Sequence, residues 1–172
     1  MGAREIIGID PAPRRLEMAA ARGATLLLEK GAGVALPDVA RVTGGRLADV
    51  VYDVTGHPAV LPLALSLVRT LGKLVLLGDP DSPTEQHLTR DLITRGLTIL
   101  AAHDSNPPAV PSDDNWWTRR HMAGLFMTYV DRKRMRVADL ATHRFAPQDA
   151  PEAYRMLVND RATAMGVFFD WE

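Results

Sequence analysis

The chemistry open to this sequence rests on five histidines and a scatter of carboxylates, because it contains no cysteine. Without thiols there is no disulfide scaffold, no thiolate zinc site and no sulfur nucleophile. Histidine is the side chain best suited to moving protons near neutral pH. His103 and Asp104 are adjacent and read either as an acid–base pair or as a loop in which Asp104 caps backbone groups. His57 lies between Gly56 and Pro58, so a turn role competes with catalysis. Asp79 and Asp81, within Asp-Pro-Asp-Ser-Pro, could accept a proton or orient a hydroxyl, but the same string is ordinary turn chemistry. Thr55 offers a hydroxyl beside His57 for a substrate. Trp116 and Trp117 follow a Pro-rich stretch and open the next helical pattern. Two adjacent indoles there cannot share a helix face, so one should pack inward and the other line a cleft or interface. The cluster Arg132, Lys133, Arg134 and Arg136 reads as the solvated end of that helix, since cations favour a helix C-terminus. No His/Asp spacing marks a metal site.

These residues need elements to position them. The organising stretch runs from Leu47 to Gly78. Ala48 to Val54 and Lys73 to Leu77 are near-continuous apolar runs, the pattern of strands covered on both faces. Between them the apolar residues from Ala59 to Leu71 recur with helical spacing. Strand, helix and strand within about 30 residues form a right-handed βαβ unit of a parallel sheet. Flanking strands are predicted at Glu5 to Ile9, Ala24 to Leu28, Leu97 to Ala101 and Met165 to Phe169. Helices are predicted after Pro11, over 37–42 and 85–94, from Trp116 to about Arg132 with Asn115 as cap, and after Asp149. Ligands on such a sheet sit beyond the carboxyl ends of its strands. Thr55, His57, Asp79, Asp81, His103 and Asp104 all fall there, and an apolar pocket closed by the 105–115 loop and the indoles is expected among them.

At 172 residues a single domain is expected over 1–172. A hydrophobic fraction of 47% is ordinary for a folded chain, and no apolar run approaches the ~20 residues that span a bilayer. A net charge of −1 provides no field favouring nucleic acid or acidic membranes. The opening Met-Gly-Ala-Arg-Glu does not read as a signal peptide, so a cytoplasmic protein is expected.

The order of segments resembles the C-terminal half of the medium-chain dehydrogenase/reductase family, the zinc alcohol dehydrogenase-like enzymes. Gly2 to Asp10 looks like that family's second strand with its acidic terminus. Arg15-Leu16-Glu17-Met18-Ala19 and Arg22-Gly23-Ala24 look like the helix and turn that follow. Asp49 to Gly56 and Gly72 to Gly78 look like its fourth and fifth strands. Thr142 to Phe145 and Ala150 to Tyr154 match its closing segment, here 115–172. The resemblance implies an α/β fold, a truncated Rossmann-like parallel sheet flanked by helices and lacking the first strand. It also implies that Asp10 would bind adenosine ribose hydroxyls if a dinucleotide were present; otherwise Asp10 caps the helix after Pro11. No G-x-G-x-x-G string occurs, so nothing matches the family's pyrophosphate loop. The family's zinc ligands have no counterpart either.

From these features the first expectation is a repurposed enzyme. The vacated cofactor crevice would bind an apolar small molecule and promote a cofactor-free cyclisation or isomerisation, with His103, Asp104, His57 and Asp79 catalytic. Trp116, Trp117, Thr55 and Asp81 would contact the substrate. No cofactor and no metal are expected. The alternatives are a non-catalytic binding or interaction subunit and a residual or split NAD(P)-dependent oxidoreductase. Uncovered apolar surface on the closing segment leads to the expectation of a homodimer, with no nucleic-acid or membrane partner.

Overall fold

The computed structural model describes residues 2–103 and 105–171. The chain forms two compact α/β units, Met1–His103 and Asp104–Glu172.

The first unit runs β1 (Ile7–Ile9), α1 (Pro13–Ala20), β2 (Leu26–Leu28), α2 (Leu36–Val42), β3 (Ala48–Asp53), α3 (Val60–Leu67), β4 (Val68–Leu76), α4 (Arg90–Thr94) and β5 (Thr98–Ala101). β1 pairs with β2, and β3, β4 and β5 pair in that order, every pair parallel. Parallel pairs need helical crossovers, and the sequence supplies one between each consecutive pair of strands. Alternation decides what each face meets. Val51, Leu74 and Ile99 stand in register across the three strands. They pack with the buried Leu61, Ala64, Leu65 and Val68. Ile7, Ile9 and Val51 join a second cluster around Leu28, Ala35, Val39 and Leu67, so α2 and α3 cover one face of both sheets. On the opposite face a Cβ at Gly8 would lie 3.4 Å from Leu16 Cδ2, so α1 covers that side of β1.

The second unit holds α5 (Arg119–Asp131), β6 (Ala141–Phe145), α6 (Ala150–Asn159) and β7 (Gly166–Phe169). β6 and β7 are parallel and joined through α6, whose Ala153 is buried. Thr142 bridges the pair: its hydroxyl donates to the Gly166 carbonyl and accepts from the Met165 N–H. Among the described residues no helix is long and apolar enough to cross a membrane.

Several boundaries differ from the sequence reading. The helix expected to reach Leu71 ends at Leu67, and β4 begins at once with Val68 in extended conformation. Val68 is β-branched and fully buried, and Arg69 pairs with Asp49, which fixes this stretch against β3. The helix expected over 85–94 is reduced to a 3-10 turn at Pro83–Glu85 and the short α4. α5 starts three residues after Trp116, because Thr118, not Asn115, accepts from a first-turn N–H, that of His121. Asn115 instead accepts from the Trp117 N–H, two residues on. Asp149 precedes α6 as expected, but its side chain makes no capping bond.

Candidate functional site

Three chain turns meet beyond the carboxyl ends of β3, β4 and β5. Asp53, at the end of β3, is 5% exposed. Its carboxylate accepts from the Thr55 N–H at 3.0 Å and the Thr55 hydroxyl at 2.7 Å. Its backbone carbonyl accepts from the N–H groups of Leu77 and Gly78 at 2.9 and 3.0 Å. Asp53 thereby ties the turn after β3 to the turn after β4. The two backbones approach so closely that neither Gly56 nor Gly78 has room for a side chain. Gly56 has φ +65°, and a Cβ there would meet the Asp79 carbonyl oxygen at 2.7 Å; one at Gly78 would overlap the Thr55 and Gly56 backbone. The sequence reading passed over Asp53, whose signal is its place two residues before a threonine and three before a glycine.

The expected site residues divide as follows. His103 Nε2 lies 3.8 Å from Asp79 Oδ2, so the turns after β4 and β5 bring this pair together, both partners exposed. His57 takes a turn role: its N–H donates to the Thr55 hydroxyl, and its Nδ1 accepts from the Ala59 N–H at 3.2 Å. Thr55 is engaged by Asp53, and Asp81 is exposed. Asp104 lies outside the described residues. In the second unit Trp116 stacks on His121, with ring centroids 4.6 Å apart and planes 9° from parallel. His121 Nδ1 lies 2.8 Å from the Trp116 carbonyl, which can only accept, so Nδ1 carries the proton. Trp117 is about half exposed.

Asp10 stands apart, at the carboxyl end of β1. One carboxylate oxygen accepts from the Ala12 N–H at 2.7 Å, and the other lies 3.7 Å from Arg15 Nη1. It does not cap α1, whose first turn has no side-chain cap. β1 pairs with β2 and β3 with β4 in separate sheets, and residues of β1 and β3 line one shared cavity. Ligands on parallel α/β sheets bind beyond the carboxyl ends of the strands. Asp10 stands at the carboxyl end of β1 and Thr55 at that of β3. Among the described residues no three His, Asp or Glu side chains gather as metal ligands.

Solved structures share this fold. The chain superposes on an alcohol dehydrogenase from Thermus sp. ATN1 with a TM-score of 0.77 and 23% identity, over 99% of this chain and 45% of that one. Benzyl alcohol dehydrogenase from Acinetobacter calcoaceticus gives a TM-score of 0.76 at 19% identity, over 96% and 42%. The fold is thus Rossmann-like, parallel sheets flanked by helices. Residues 1–112 match the zinc-binding dehydrogenase family, and the chain belongs to it. L-threonine 3-dehydrogenase of Bacillus licheniformis is 25% identical over 91% of this chain and 42% of its own length. Sorbitol dehydrogenase of Bacillus subtilis is 40% identical over 46% and 22%. The chain thus spans less than half the length of these relatives.

These relatives overturn the expected cofactor-free cyclisation or isomerisation. Their names are those of dehydrogenases, which favours the oxidoreductase alternative. That expectation rests on a missing glycine motif, and a motif absent from 172 residues carries no information about polypeptide beyond them.

Proposed function

We propose that residues 1–103 form the adenosine-binding side of an NAD(H)-dependent oxidoreductase acting on a small hydroxyl-bearing substrate. The observation that carries this reading is Asp10, a carboxylate at the carboxyl end of β1. A carboxylate there accepts hydrogen bonds from the two ribose hydroxyls and repels the 2′-phosphate of NADP(H). The Ala12 N–H and Arg15 hold the carboxylate in orientation. The ribose end of a dinucleotide therefore fits the residues present. No residue of this chain is assigned to the pyrophosphate, since no G-x-G-x-x-G string occurs. When bound, the nicotinamide ring supplies a hydride acceptor. Toward that end, the turns held by Asp53 form a fixed backbone wall at the ends of β3 and β4. The His103–Asp79 pair is placed to hold a proton at the rim. Among the described residues no three His, Asp or Glu side chains gather as a zinc ligand set.

Calorimetric titration with NADH and NADPH tests the reading. NADH should bind roughly tenfold or more tightly than NADPH, and Asp10→Ser should narrow that gap from both sides. Tighter binding of NADPH, or NADH affinity indifferent to Asp10→Ser, would refute it.

A further inference from the structure

Of the 20 Lys and Arg and the 21 Asp and Glu in the chain, six and one fall between Arg119 and Arg136. The cations are Arg119 and Arg120 in the first turn of α5, and Arg132, Lys133, Arg134 and Arg136 just past its end; the acid is Asp131. All seven side chains are exposed. Among the described residues no carboxylate pairs with Arg120, Arg132, Lys133 or Arg134. Cations favour a helix C-terminus, which accounts for one end of α5, but two arginines in its first turn stand against the helix dipole. The sequence reading expects no membrane partner from a whole-chain charge of −1, which averages this local excess away.

Between the cations α5 has no buried residue. Met122, Leu125 and Phe126, at helical spacing on one face, are exposed, and so is Met127. Trp116 and Trp117 lead into the helix, 59% and 49% exposed. The turn after α5 is held by its backbone: the N–H groups of Arg134 and Met135 both donate to the Tyr129 carbonyl, at 2.8 and 3.1 Å. Lys133 takes φ +55° there, a conformation that favours glycine, so this turn displays a lysine at the cost of strain.

We propose that α5 and the two indoles before it lie flat on the surface of an anionic phospholipid bilayer. Met122, Leu125, Phe126 and the indoles enter the headgroup layer, and the cations at both ends meet lipid phosphates. The arginine and lysine stems let the charges stay at headgroup level while their methylenes cover apolar surface. The 13 residues of α5 extend about 20 Å, so both basic ends reach one flat surface together. Duplex nucleic acid matches the cations but leaves the apolar residues in water. A second copy of α5 brings cations against cations whether the two helices run parallel or antiparallel, because both ends are basic. An anionic lipid surface matches the charge and the apolar residues at once. The inference stands whether or not the chain handles a dinucleotide.

The test is co-sedimentation of the whole chain with vesicles of phosphatidylcholine and phosphatidylglycerol, against vesicles of phosphatidylcholine alone. The chain should bind the anionic vesicles roughly tenfold or more tightly, and added salt should weaken that binding. In a Trp171→Phe background Trp116 and Trp117 are the only indoles, and their emission should move to shorter wavelength on binding. Lys133→Glu combined with Arg134→Glu should weaken binding roughly tenfold or more. Phe126→Gln should weaken it roughly tenfold while leaving the salt dependence in place. These three positions are exposed, so the far-ultraviolet circular dichroism should not change. Equal binding to both kinds of vesicle, an unshifted emission, or variants that bind as tightly as the unaltered chain would overturn the proposal. So would duplex DNA or polyglutamate shifting the emission as the anionic vesicles do.

Discussion

Arg95 donates to the carbonyls of Ser66 and Val68, at 3.3 and 2.6 Å, and its other terminal nitrogen meets Asp91 at 2.7 Å. It therefore ties the carbonyls at the α3–β4 junction to the end of α4. Arg95→Ala should cost about 1.5–3 kcal/mol, read from the urea midpoint at unchanged slope. The same contact gives a pH signature. Hydrogen bonding from Arg95 holds the Asp91 carboxyl below its ordinary 3.8, burial opposing it. The unfolded state then binds the proton more readily, so this contribution is complete above about pH 4. It is lost as pH falls through the depressed folded value. Arg95→Ala should flatten the acid limb of the stability curve in that window. Asp10 was legible in the sequence as an acidic strand end, because strand and turn patterns are local. Arg95 and Asp53 were not, because their partners are set by which turns the crossovers bring together.

Among the elements, the α3–β4 junction shows how tertiary contacts override a local pattern. Leu67, Val68 and Leu71 fit a helical stripe, and the sequence reading continued the helix through them. The structure breaks it at Val68 and turns the chain at Leu71, which takes φ +57° with its N–H bonded to the Arg95 carbonyl. A left-handed leucine is strained, and a β-branched side chain is worse there. Leu71→Val should cost about 1–2 kcal/mol, whereas Leu71→Gly should stay within about 0.5 kcal/mol, because relief of strain offsets lost chain entropy. Paired thermal unfolding of the two variants checks this. The strands themselves were legible, since buried parallel strands announce themselves as apolar runs; their register was not.

At the scale of the molecule, the chain belongs to the zinc-binding dehydrogenase family, and its strands β1 and β3 carry Asp10 and Thr55 at their carboxyl ends. The sequence reading found the family and the α/β fold from the order of its segments. It then assigned the wrong chemistry by giving weight to a motif outside its reach. The rim it favoured does bring His103 to Asp79, yet the turn backbones at Gly56 and Gly78 pack directly on each other. The proposed seat for the ribose end of a nicotinamide dinucleotide is Asp10. Amide chemical-shift mapping during titration with NADH tests it most directly. Shifts should concentrate at Asp10, Ala12 and Arg15, extend to Thr55, Gly56 and Gly78, and weaken with Asp10→Ser. Shifts confined to the second unit, or a titration that leaves the Asp10 turn unmoved, would contradict it.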